Sequence, residues 1–174
     1  MVRIHPTASM AASAVVSGDV TIGPGARVLA GAVLDGSRGP VVLGEDVLVM
    51  EHAVIRGRAE HPVTVGDAVL IGPHTNITGA RIEDEVFVAT GACVFAGAVV
   101  GARSELRVHA VLHVNSVLLP DTVVRSAGSQ PATPQSCSHP IATTSCGRCS
   151  ADSTSPARCT ASRATPPCAT SCAD

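Results

Sequence analysis

The sequence predicts an all-β solenoid: one chain wound into about seven triangular coils of short parallel strands, followed by a tail outside the fold. Three observations carry that prediction. A large aliphatic residue or Met recurs at every sixth position, a small or β-branched residue follows it four places later, and the 174 residues include no Trp, no Tyr and only two Phe. A period of six fits neither a helix, at ~3.6 residues per turn, nor the simple alternation of a lone strand. It does fit a coil whose hexads are each a strand and a corner, three hexads closing one turn. Such a coil needs no aromatic core, because stacked aliphatic ladders bury one another turn by turn.

The first six hexads are marked by Ile4, Met10, Val16, Ile22, Val28 and Leu34, with Ala8, Ala14, Val20, Ala26 and Ala32 as the small partners. Leu34 to Leu43 spans nine residues instead of six, and Gly36-Ser37-Arg38-Gly39-Pro40 reads as a loop leaving a corner. The period resumes with Leu43, Val49 and Ile55. Gly57 to Pro62 then forms a second protrusion before Val65, Ile71 and Ile77. One residue is missing between Ile77 and Ile82, with Gly79 at the tight corner, and the ladder then runs unbroken from Ile82 to Val124. Positions three hexads apart stack about one strand spacing (~4.8 Å) apart, so 56 lies beneath 78 and 52 beneath 74. The domain therefore covers residues 1–125.

Residues 126–174 are rich in Ser, Thr, Ala, Pro and Cys, with a single aliphatic larger than Ala or Pro, Ile141. Such a segment buries too little apolar surface to offset its ordering entropy and is expected to be disordered. It holds six of the seven cysteines, among them Cys146, Cys149, Cys168 and Cys172. Zinc binding lacks a hydrophobic framework there, and disulfides do not suit a chain without a signal peptide. Alternating Ser, Cys, Arg, Ala and Pro, with Lys absent from the whole chain, is what a GC-rich gene gives when read out of frame. The tail is therefore expected to be a frameshifted terminus. The net charge of −2, without a basic stripe, argues against nucleic acid as a partner. No stretch is apolar enough for a signal peptide or membrane span, so a cytoplasmic location is expected.

The stretches HPTASMAASAVVSGDVTIGPGARV, HPVTVGDAVLIG and VFAGAVVG resemble the γ-class carbonic anhydrase branch of the hexapeptide-repeat (left-handed β-helix) proteins, in register over residues 3–125. The resemblance implies a left-handed prism, a homotrimer and an interface site in which three His hold zinc and ready a bound water for attack. Carried over residue by residue, the ligand positions fall on Arg56, Pro73 and Thr78. Leu48 and Met50 stand where the family's assisting Asn and Gln would be, and Asp35-Gly36-Ser37 replaces its Arg-x-Asp. An arginine cannot stand in for a neutral imidazole, so no metal site and no zinc are expected.

Other His could in principle rebuild a site. His52, His74 and His109 share the fourth place of the hexad with Gly25, Gly31, Asp46, Gly91, Gly97, Asn115 and Asp121. That company marks a positive-φ corner, so solvent-facing corner residues are favoured over a displaced metal site. His113 falls in the column of Arg56 and Thr78. His61 reads as structural, while His5 and His139 suggest no chemistry. Cys93 reads as a small buried or half-buried hydrophobe. Arg56, with Glu51, Thr78, Arg58 and Arg81 near it, could bind a carboxylate or phosphate in the old cleft, against the blander reading of an intersubunit salt bridge to Glu51, Glu83, Asp84 or Glu85. Three functions remain open: a homotrimeric scaffold or small-anion binder without hydrase activity, an acyltransferase taking acyl-CoA with His52, His74 or His113 as base, and a hydrase with a rearranged metal set. No cofactor is expected under the first.

Overall fold

The computed structural model describes residues 1–126 and the backbone of Ser129–Gln130. The expected tail disorder, its cysteine chemistry and its frameshift origin fall outside those residues. Seven left-handed coils stack in parallel, with no helix among the described residues. One face of the prism is built from Ser9–Met10, Arg27–Val28, Leu48–Val49, Leu70–Ile71, Phe87–Val88, Glu105–Leu106 and Val123–Val124. The other two faces merge into one sheet, because Val15–Ile22 and Val33–Leu43 run through the corner between them without a break. The usual right-handedness of parallel crossovers arises from strand twist. Most strands here are two or three residues long and build up little of it.

The hexad pattern is the core. Every ladder residue from Ile22 to Val124 is at most 4% exposed, and the small residues Ala26, Ala32, Ala53, Ala92 and Ala110 are fully buried beside them. The first coil is the exception: Ile4 and Met10 are each 43% exposed, since only one neighbouring coil covers them. Register follows the spacing: Ile22 pairs with Leu43, Leu43 with Val65, Val65 with Ile82 and Ile82 with Val100. Steps of 21, 22 and 17 residues therefore still superpose the same wall.

Corners explain the fourth hexad place. All ten residues named for it have positive φ, from 52° at Asp46 to 70° at Gly31 and 74° at Gly97. Ala68, Glu85 and Arg103 adopt it as well, although a left-handed conformation costs a side chain ~1–2 kcal/mol. Hydrogen bonds from the coil before hold them there, as in Ala68 N–H to Glu45 O (2.8 Å) and Glu85 N–H to Asp67 O (2.8 Å). No helix among the described residues is long and apolar enough to cross a membrane.

The first insertion departs from expectation. Residues 36–40 do not leave the corner as a loop; they continue the strand Val33–Leu43 around it. Gly36 can turn there because its missing side chain lets it lie against the backbone of Asp19. The second insertion does protrude. Arg58 and His61 exchange backbone hydrogen bonds (3.0 and 3.1 Å), leaving Ala59 and Glu60 as a two-residue tip.

Candidate functional site

Both insertions fall at the same corner on consecutive coils, and together they build a cleft. Asp35 and Arg38 come from the long strand, Arg56 from the end of Val54–Arg56, Gly57 and Arg58 from the protrusion, and Thr78 from Asn76–Thr78. The cleft encloses about 330 Å³. Register puts Asp35, Arg56 and Thr78 side by side on three successive coils. The coils can approach this closely only because glycines meet at the floor: a Cβ on Gly57 would sit 1.9 Å from the Gly39 carbonyl oxygen. A neighbouring groove of about 560 Å³ shares Arg38 and Arg58 and continues along Ala59, Glu60, His61 and Ala96.

Charge in this cleft is one-sided. Asp35 accepts hydrogen bonds from the hydroxyl and the N–H of Ser37 (the latter 3.0 Å) and from Ser17 Oγ (3.2 Å). The Ser37 bonds chiefly, with Ser17 and the Arg56 charge adding to them, hold its carboxyl below the ordinary aspartate range. Asp35 is therefore an anion at neutral pH and offsets one of three guanidiniums. The ion pairs among the described residues are Met1–Asp19, Arg81–Glu83, Arg103–Asp121 and Arg107–Glu105, and none engages Arg38, Arg56 or Arg58. All three arginines are exposed. Thr78 donates its hydroxyl to Asn76 Oδ1 (3.2 Å).

Of the residues singled out from sequence, Arg56 and Thr78 share this cleft. Glu51 does not line it; it lies at the corner following Leu48–Val49, with its carbonyl accepting from His74 N–H (3.0 Å). Arg81 lies outside it too, paired with Glu83 at 3.8 Å. The acids Glu83, Asp84 and Glu85 turn the corner after Arg81–Ile82, so within one chain they do not face Arg56. His52 and His74 stack with ring centroids 5.2 Å apart and planes within 10°. Both are exposed, and the His52 ring lies over Gly31 of the preceding coil. His109 lies over Gly91 in the same way. His113 is exposed, with the Phe95 coil between it and Thr78. Pro73 lies on a different wall, in an apolar groove with Met50, Leu70, Phe87 and Val108. No three His, Cys, Asp or Glu among the described residues group closely enough to hold a metal ion. Cys93 is half-buried, 3.9 Å from the Gly91 carbonyl.

Arg38 escaped the sequence reading. Its segment looked like a loop directed away from the coil. The signal that finds it is the stacking of two insertions in successive turns, which brings residue 38 beside 56 and 58.

No protein-family profile matches the chain. It is 32% identical over 120 residues to gamma carbonic anhydrase 1, mitochondrial, of Arabidopsis thaliana, across 65% of this chain and 43% of the relative. It is 26% identical over 153 residues to dynactin subunit 6 of Xenopus tropicalis, across 77% and 75% of the two. Among solved structures, a hexapeptide transferase family protein from Anaplasma phagocytophilum superposes with a TM-score of 0.55 at 26% identity, covering 74% of this chain and 72% of that one. The chain spans about half the length of the γ-carbonic anhydrases it matches. With a six-residue ladder, a left-handed prism and these relatives, the chain is a left-handed hexapeptide-repeat solenoid whose homologues include γ-class carbonic anhydrases.

Proposed function

We propose that the protein is a homotrimer that no longer hydrates CO2 and serves as a scaffold whose arginine-lined cleft holds a small anion. One observation carries this reading: Arg56 pairs directly with Thr78 on adjacent coils, at two of the three positions where the resemblance puts zinc ligands. The residues there do not fit zinc. A guanidinium has no lone pair to give and repels the cation, and Thr78 offers a neutral hydroxyl already engaged with Asn76. Pro73, at the position of the third ligand, has no donor atom in its ring. The match to dynactin subunit 6, which covers more of both chains than the carbonic anhydrase match, supports a scaffold role, since that relative is named for its place in an assembly.

The test is metal analysis of the purified protein together with a CO2 hydration assay and sedimentation. The expected result is a trimer with far less than one zinc per chain and no hydration above the uncatalysed rate. Stoichiometric zinc with CO2 hydration would overturn the proposal. The acyltransferase reading draws on the likeness to the Anaplasma transferase-family protein, with the exposed His52, His74 or His113 as the candidate base. Calorimetry with a panel of acyl-CoA thioesters tests it, and no heat from any of them would count against it.

A further inference from the structure

We infer that the cleft between the two insertions is a phosphoryl site, taking inorganic phosphate or the phosphate of a small phosphomonoester through Arg38, Arg56 and Arg58. This deepens the anion-binding reading and rests on it. Three lines of reasoning select the ligand. First, the charge balance of three guanidiniums against one ionised carboxylate, Asp35, leaves a lining of net +2, which matches a phosphoryl group carrying ~−1.5 to −2 at neutral pH. A single carboxylate would leave a surplus positive charge in the cleft.

Second, geometry of recognition favours the same group. A guanidinium presents a planar fork of donors, and a phosphate monoester presents three terminal oxygens, so three forks can each take one edge. None of these arginines makes a close ion pair among the described residues, and only Arg56 feels a cleft carboxylate, Asp35, through its charge, so the forks are not spent on direct contacts to the chain's own acids.

Third, size admits more than an ion. The 330 Å³ cleft is at the lower end of small-molecule sites, and the 560 Å³ groove that shares Arg38 and Arg58 runs on past Ala59 and Ala96. A phosphate in the cleft would direct a short organic body into that groove. Arg38 and Arg58, the residues the two cavities share, both come from the insertions.

The experiment is calorimetric titration of the full chain, at low salt, with inorganic phosphate, glycerol 3-phosphate and succinate, repeated on Arg38→Gln and Arg58→Gln. Sedimentation of each protein runs alongside. Binding of phosphate or glycerol phosphate, weakened about tenfold or more in each variant with the assembly unchanged, is expected. Tighter binding of glycerol phosphate than of phosphate identifies the phosphomonoester as occupant, and the reverse identifies the free ion. Three results would overturn the inference: no heat from either phosphate, succinate binding as tightly as glycerol phosphate, or variants that bind like the parent. Dissociation of the assembly in both variants without ligand would also overturn it, because the arginines would then be pairing with a second copy's acids. Stoichiometric zinc with CO2 hydration in the same preparation sinks the proposed function; zinc-free protein that ignores phosphate sinks only this site.

Discussion

Replacing Gly57 by Ala tests whether the cleft's floor is as tight as its geometry requires. The added methyl would sit 1.9 Å from the Gly39 oxygen and 2.5 Å from its carbonyl carbon. These are backbone atoms, which cannot rotate away. Relief needs an opening of about 1.5 Å, the difference between 1.9 Å and the 3.4 Å at which ordinary van der Waals contact begins. The hydrogen bond from Gly57 N–H to Asp35 O, 2.9 Å long, lies directly beside that opening. Losing it costs ~1 kcal/mol and overpacking adds ~1–3 kcal/mol, so G57A should destabilise by about 2–4 kcal/mol. For a domain of this size that lowers the melting temperature by roughly 8–16 °C. Urea and thermal unfolding measure it, with Ala59→Ser at the exposed tip of the same insertion as the control expected to change little. Because Arg56 and Arg58 flank Gly57, the same variant should also bind phosphate more weakly. A G57A protein within ~0.5 kcal/mol of the parent would refute the close-packed corner.

The metal and phosphate measurements described with the proposals are two further predictions, and two more concern stability. Thr75 is 1% exposed and its hydroxyl has no hydrogen-bond partner among the described residues, so Thr75→Val should stabilise the coil by ~1 kcal/mol in urea unfolding; a loss of stability would show that the hydroxyl is satisfied after all. Asp35 has a folded pKa below its ordinary 3.8, so its contribution is present above that value and disappears as pH falls through the lowered one. The stability gap between the parent and Asp35→Asn should therefore be constant at neutral pH and narrow in strong acid; a gap that persists down to acid unfolding would contradict the assignment.

The ladder was legible because each interior position states its own environment: Ile55, Ile71, Ile77 and Leu112 are completely buried as their six-residue spacing demands. The corners were partly legible. Gly, Asn, Asp and His at the fourth place announce positive φ, yet Ala68, Glu85 and Arg103 take it without any propensity for it. There the stacked coil's hydrogen bonds outweigh the local preference. The site was less legible still. Arg56 and Thr78 could be paired by counting hexads, but an insertion has no period, so nothing local said whether residues 36–40 would leave the wall or follow it. Glu51 and Arg56 are five residues apart, but a corner-bound residue and the last residue of the following strand face different surroundings.

By itself, the sequence determined the prism. A hexad repeat of aliphatic residues buries its large side chains in only one way, and that way is written in the spacing. The resemblance the sequence carries implies that Arg56, Pro73 and Thr78 occupy the positions of the family's ligand imidazoles. Only the tertiary structure decided that two insertions close on one corner and bring Arg38 beside Arg56 and Arg58. Contacts between successive coils depend on how each extra residue is absorbed, and glycine backbones touching across the corner settled that question in three dimensions.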